Sequence, residues 1–183
     1  MIDNMLFTTE EIKFVMDKEY ERLERIKKMY SSIDEYNKVK KKDNEEIIKC
    51  KNGYKLISDG IELESFKTKK ETENYLKKES KAIIHNINYI LSESSNDYFG
   101  ARISIFFYSL ENADEETNDF IGKNANIEEV LFVGNHVYFN MGENYVVFNI
   151  HNLHKTTAKK VDYNDYVINK DAQKKLERRL SYV

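Results

Sequence analysis

Residues 129–150 read EVLFVGNHVYFNMGENYVVFNI, and this stretch decides the fold. It holds three apolar runs, which are Glu129–Val133, His136–Met141 and Tyr145–Ile150. The runs are joined by Gly134-Asn135 and by Met141–Asn144, and short Gly/Asn links of this kind connect antiparallel neighbours in hairpins. The stretch therefore predicts an antiparallel meander, the larger sheet of the protein. Residues 101–110 are apolar on both faces of a strand and predict a central strand of the same sheet.

A smaller sheet is predicted upstream, between Ile47 and Phe66, where apolar residues recur with a period of two. An Asn52-Gly53 pair separates two of its runs, and Asp59-Gly60 turns the chain again. These two turns predict a three-stranded meander.

The first of two long helices starts at Thr8 and Glu11, which have capping-box spacing. We expect it to run to about Lys42, with a kink site at Ser31-Ser32 and with its far end projecting into solvent. Apolar residues along it form a helix seam at Met16, Leu23, Ile26, Tyr30 and Ile33. The seam suits either a self-paired helix in a homodimer or packing on the protein's own sheet.

The second long helix begins with another capping-box pair, Thr68 and Glu71, and extends to Leu91. A third, basic helix near the C-terminus is capped by Asn169 or Asp171. The predicted class is α+β, with residues 1–183 as one domain from which the N-terminal helix, residues 1–42, projects.

Composition limits the class of protein. The 183 residues contain one cysteine, Cys50, which excludes an internal disulfide framework and fits a reducing compartment. No segment has the basic start of a signal peptide or the roughly 18 apolar residues of a spanning helix. Proline is absent, and Lys, Asn, Ile and Tyr are frequent, as expected from an AT-rich genome. We expect a soluble, cytoplasmic protein of a low-GC Gram-positive bacterium, or of a phage or plasmid within one.

The charges are segregated along the chain. Between Glu93 and Glu129 there are nine acidic residues and two basic ones, whereas from Lys155 onward eight basic residues oppose four acidic ones. The core of the acidic block is predicted as a loop between two strands of the larger sheet, in which a short helix is possible. Its candidate partner-binding residues are Glu111, Asp114, Glu115, Glu116 and Asp119. The candidate nucleic-acid- or partner-binding basic residues are Lys155, Lys159, Lys160, Lys174, Lys175, Arg178 and Arg179.

Each block has more than one interpretation. Spaced carboxylates can imitate a row of phosphates and occupy a partner's nucleic-acid groove, can hold the divalent metals of a nuclease, or can form an ordinary solvated loop. Basic residues with Tyr163 and Tyr166 between them can bind a phosphate backbone and stack bases. A basic last turn is also favoured by the helix macrodipole alone.

Motifs for enzymatic chemistry are lacking. The sequence has no Gly-x-Ser-x-Gly motif and no phosphate-binding glycine-rich loop, and Cys50 lies inside a predicted strand. His151 and His154 are three residues apart and could share a metal with His136, but a structural zinc site normally has four Cys or His ligands. Solvated imidazoles at a strand end are the simpler interpretation. We therefore predict a protein that is not an enzyme and that uses no metal or cofactor.

The size, the AT-rich composition, the lack of a catalytic signature and the acidic block together resemble phage or mobile-element inhibitors of host defence, of which anti-CRISPR proteins are the best-known class. The resemblance is one of general character and carries over no functional residue. It implies a non-enzymatic protein that binds a complex such as a CRISPR effector and blocks its nucleic-acid recognition. The alternatives are a DNA- or RNA-binding regulator that uses the basic C-terminal helix, and a metal-dependent nuclease.

Overall fold

The computed structural model describes residues 8–41, 44–93, 112–123, 127–150 and 152–180. These residues form five α-helices, seven β-strands and one short 3-10 turn. The helices are α1 (Thr9–Met29), α2 (Ile33–Lys40), α3 (Lys69–Glu93), α4 (Glu115–Lys123) and α5 (Tyr163–Leu180). The strands are β1 (Glu45–Cys50), β2 (Gly53–Ser58), β3 (Ile61–Phe66), β4 (Glu129–Val133), β5 (His136–Asn140), β6 (Tyr145–Asn149) and β7 (Lys159–Val161).

Two antiparallel sheets confirm the predicted α+β class. The smaller sheet has the order β1-β2-β3 and the larger one the order β4-β5-β6-β7. Each hairpin link expected from Gly and Asn joins neighbouring strands, as in the pair Val133–His136 across Gly134-Asn135. The central strand predicted for residues 101–110 lies outside the described residues. None of the helices in the described ranges is both long and apolar enough to cross a membrane.

The main core lies between one face of the larger sheet and the helices. Phe139 and Phe148 from neighbouring strands pack with a ring-centroid distance of 5.3 Å, and Leu23, Ile26 and Ile87 from α1 and α3 are fully buried beside them. Full burial of one such side chain stabilises the fold by about 1.5–3 kcal/mol. The opposite face of the sheet carries a smaller cluster around Tyr138 and Tyr166.

The long N-terminal helix is broken, and its far end does not project. Helix α1 ends at Met29, and Ser32 caps a separate helix α2 by accepting a hydrogen bond from the Glu35 amide at 3.3 Å. Tyr36 of α2 is fully buried, and the Lys40 ammonium donates to the Ser80 hydroxyl at 2.9 Å. The sequence-based expectation of an exposed projection was therefore wrong, because α2 folds back onto α3.

The apolar seam of α1 is part of the protein's own core. Leu23, Ile26 and Tyr30 are fully buried, and Met16 and Ile33 pack at the edge of the same cluster. Of the two interpretations of the seam, packing within the chain is the one realised. These residues are not exposed for pairing with a second copy.

Two further elements differ from prediction. Helix α5 begins at Tyr163, well before the predicted caps Asn169 and Asp171. Strand β7 was not predicted: three residues, Lys159–Val161, pair with β6 and extend the larger sheet. The segment was not recognised because Lys159-Lys160 lacks the apolar alternation of a strand.

Candidate interaction surfaces

The acidic segment contains the short helix α4, which is the alternative to the loop expected as its main structure. Asp114 precedes α4, and its Oδ1 accepts a hydrogen bond from the Thr117 amide at 2.6 Å, which is the N-cap contact. Its Oδ2 lies 2.8 Å from Nδ1 of His154. The start of α4 is therefore tied to the segment that leads into β7.

Helix α4 has two distinct faces. Thr117 is fully buried and Ile121 is 1% exposed, so one face belongs to the core. Glu115, Glu116 and Asp119 are exposed on the helix, and within the described residues neither Glu115 nor Asp119 makes an ion pair. We call these three residues the acidic face. Glu111, the remaining predicted member of the acidic surface, lies outside the described residues.

Asp114 has a structural role. Hydrogen bonds from His154 and from the Thr117 amide lower the pKa of its carboxyl to about 2. Because this pKa is below the usual 3.8, the ionised carboxylate stabilises the folded state above about pH 4. That stabilisation is lost as the pH falls through about 2.

We therefore expect Asp114→Ala to lower the urea midpoint at pH 6, whereas Asp119→Ala on the same helix leaves it almost unchanged. The gap between the wild-type protein and Asp114→Ala should shrink as the pH falls from 4 to 2, when wild-type Asp114 also loses its charge. Urea titrations at a series of pH values measure this gap. A gap that stays constant down to pH 2 would show that the carboxylate is not held in its ionised form.

Two of the predicted basic surface residues are buried instead. Lys175 is 6% exposed and its ammonium binds the carboxylates of Glu79, at 2.5 Å, and of Glu45. Arg179 is 3% exposed, donates to the hydroxyl of Tyr36 at 2.7 Å and stacks over that ring. The expectation that both belong to a basic surface was wrong, because α5 turns this side toward α3 and α2.

The other two basic residues of α5 singled out from the sequence differ in exposure. Arg178 is half-buried and donates to the hydroxyl of Ser58 at 3.0 Å. Lys174 is exposed. Lys155, also expected on the basic surface, lies outside α5. It is the first residue of the 3-10 turn Lys155–Thr157, between β6 and β7 in the chain.

Lys159 and Lys160 of β7 are exposed, and they lie beside lysines of another element. Together with Lys78 and Lys81 of α3 they border a cavity of about 520 Å³. We call this cavity the basic cleft. The sequence could not show that these lysines border one cavity, since about 80 residues separate the α3 lysines from those of β7.

The histidines are divided between separate contacts. His154 binds Asp114, whereas the ring of His136 lies 5.4 Å from the ring of His85 on α3. His151 lies outside the described residues. Where the chain is described, no group of three or more His, Cys, Asp or Glu side chains is placed to hold a metal ion.

No family model, curated protein or solved structure matches the chain. The geometry of the two charged surfaces is therefore the basis for an inference about function. One surface is acidic and lies on a helix, and the other is basic and borders a cleft. The Asp114–His154 contact joins the start of α4 to the segment before β7.

Proposed function

We propose that the protein is a non-enzymatic binding protein of a phage or mobile element. Its acidic face would occupy the basic nucleic-acid groove of a host defence complex, such as a CRISPR effector, and block recognition of the nucleic acid. The observation that carries this proposal is the acidic face itself: three exposed carboxylates on a helix whose opposite side is anchored in the core.

The spacing of the charges supports imitation of phosphates. Glu115 and Asp119 are one turn apart, which is about 6 Å along the helix axis. Phosphates of one DNA strand follow each other at about 3.4 Å along the duplex axis, so the two carboxylates are spaced by roughly two phosphate steps. Opposite charge on the partner would accelerate association and fix the orientation of docking.

Anchoring of α4 favours binding in a second way. A helix that is already ordered loses less conformational entropy on association than a loop does. The N-cap contact of Asp114 and the buried side chains of Thr117 and Ile121 provide that order before any partner arrives. The carboxylates of α4 are exposed, and in the described residues they do not belong to a group of side chains placed to hold a metal ion. This arrangement suits a docking surface better than a metal centre.

The test is a triple charge reversal, Glu115→Lys, Glu116→Lys and Asp119→Lys, which leaves the structural residue Asp114 intact. A triple reversal on α1, at Asp17, Glu21 and Glu24, is the matched control, because these acidic residues are equally exposed and make no ion pair within the described part of the chain. The binding of each protein to purified, guide-RNA-loaded effector complexes from low-GC Gram-positive bacteria is measured by interferometry.

We expect the wild-type protein and the α1 variant to bind one of these complexes equally. The α4 variant should bind at least about 100-fold more weakly, since like charges placed against each other cost several kcal/mol. Full binding by a folded α4 variant, or no binding of the wild-type protein to any complex, would contradict the proposal. Circular dichroism establishes that the variants are folded.

A further inference from the structure

The basic cleft lies between α3, the larger sheet and the first turns of α5. Its floor is apolar and its rim is charged. The floor is formed by Ala82, Tyr138, Val147, Val161 and Ile168. The rim is formed by Lys78, Lys81, His85, Lys159, Lys160, Asp162 and Asp165.

Strand register places Lys159 on the same sheet face as Val147 and Tyr138 of the floor. Lys159 lies opposite Val147, which in turn lies opposite Tyr138. Residues directly opposite each other in an antiparallel pair point to the same face of a sheet. Lys160, the next residue along the edge strand, also borders the cleft, although its side chain starts from the opposite face of the sheet.

The cations of the rim exceed the anions that could neutralise them. Lys78 pairs with Asp165 at 3.5 Å, an exposed contact. In the described part of the chain, Lys81, Lys159 and Lys160 have no carboxylate partner. Three exposed ammonium groups from two elements are thus available to an anionic ligand.

The pKa of His136 is lowered in part by the positive charges near the cleft. Its ring lies between His85, at 5.4 Å, and Tyr138, at 6.3 Å. Partial burial lowers the pKa of His136, and His85 and Lys159 lower it further. The positive charge of Lys159 therefore acts on the ring of His136, beside His85.

We propose that the basic cleft binds single-stranded nucleic acid, with phosphates on Lys81, Lys159 and Lys160 and a base over the apolar floor. Lysines that follow a backbone beside aromatic side chains are the usual means of sequence-tolerant binding to single strands, and in this cleft the tyrosine ring is that of Tyr138. A volume of about 520 Å³ is that of a small-ligand pocket, which suits unpaired nucleotides rather than a duplex. The inference goes beyond the proposed function, since it needs no protein partner.

The experiment measures fluorescence anisotropy of labelled 20-nucleotide oligo(dT) and oligo(U) with the full chain, from 25 to 200 mM salt. The cleft variant is Lys81→Ala, Lys159→Ala and Lys160→Ala. The matched control is Lys13→Ala, Lys28→Ala and Lys51→Ala. These three lysines are exposed and make no ion pair in the described residues, so the control removes the same number of positive charges. An abasic strand of equal length tests whether bases contribute.

We expect the wild-type protein and the control variant to bind alike. The cleft variant should bind at least tenfold more weakly at low salt, and the slope of log affinity against log salt should fall by about 2, since each phosphate contact on a single strand contributes about 0.7. The abasic strand should bind about tenfold more weakly than oligo(dT), as expected if a base stacks in the cleft.

Three outcomes would overturn the proposal. The first is no binding by the wild-type protein at 25 mM salt. The second is an equal loss in the cleft and control variants, which would reflect net charge alone. The third is equal binding of abasic and normal strands, which would identify a general polyanion surface. Binding failure here leaves the acidic-face proposal standing, because that proposal is measured with an effector complex and a different variant.

Discussion

Lys175→Ala is expected to destabilise the folded protein by about 3–5 kcal/mol, among the largest effects that a single substitution in this chain will have. Lys175 is buried between Glu79, which is 1% exposed, and Glu45. Without the ammonium group, buried carboxylate charge is left without its cation in a medium of low dielectric constant. Urea unfolding followed by circular dichroism at pH 7 measures the change.

Two further variants make this prediction specific. Lys174→Ala changes the neighbouring exposed lysine and should alter the free energy of unfolding by less than about 0.5 kcal/mol. The double variant Glu79→Leu with Lys175→Met replaces the buried pair by apolar side chains of similar volume, and should recover most of the loss. If Lys175→Ala unfolds like Lys174→Ala, then Lys175 is a surface residue and our description of α5 is wrong.

Arg22→Met should have an effect of similar size, about 3–5 kcal/mol. The guanidinium of Arg22 is buried, binds Glu19 through two nitrogens at 2.5 and 2.8 Å, and donates to the carbonyl of Phe132 on β4 at 3.3 Å. Burial opposes the charged form, yet Glu19 and Glu177 raise the pKa of Arg22, so the charge is retained. The substitution removes this charge from beside a buried carboxylate and frees α1 from the edge of β4.

Arg25 provides the matched control on the same helix. Its side chain is 52% exposed, and it approaches the same acidic residue, Glu177, at 3.6 Å. An exposed pair contributes about 0–1 kcal/mol, so Arg25→Met should leave the urea midpoint nearly unchanged. Equal shifts of the urea midpoint in Arg22→Met and Arg25→Met would mean that the two arginines do not differ in burial.

Local sequence signals predicted the elements of this fold well. The capping boxes at Thr8–Glu11 and Thr68–Glu71 form as expected, and the Asn52-Gly53 and Gly134-Asn135 links turn the expected hairpins. Each of these signals depends on residues within a few positions of each other, so the helix starts and hairpin turns can be predicted from local sequence. Strand β7 was missed because its two lysines give no apolar alternation.

The location of the C-terminal basic residues depends on long-range packing. On α5 the buried positions include Ile168, Ala172, Lys175, Leu176 and Arg179, which follow helical spacing. That periodicity is visible in the sequence, and it places two cations on the inner side of the helix. Their partners Glu79, Glu45 and Tyr36 lie about 100 or more residues away, so the sequence could not reveal that these charges are neutralised inside the fold.

The candidate surfaces were predicted unequally. The acidic face contains three of the five acidic residues singled out from the sequence, and it lies on a short helix, which was the alternative to the expected loop. The basic cleft keeps only Lys159 and Lys160 of the predicted set and adds Lys78 and Lys81 from α3. The difference arises because α4 is local in sequence, whereas the cleft is assembled by tertiary contacts.

The central claim is that the acidic face and nucleic acid compete for one groove on a partner. The most direct measurement titrates the protein against a guide-loaded effector complex carrying labelled target DNA, at several DNA concentrations. We predict that the protein displaces the DNA, and that the protein concentration needed for half displacement rises linearly with the concentration of free DNA. A ternary complex of effector, DNA and protein, or displacement independent of the DNA concentration, would contradict the claim.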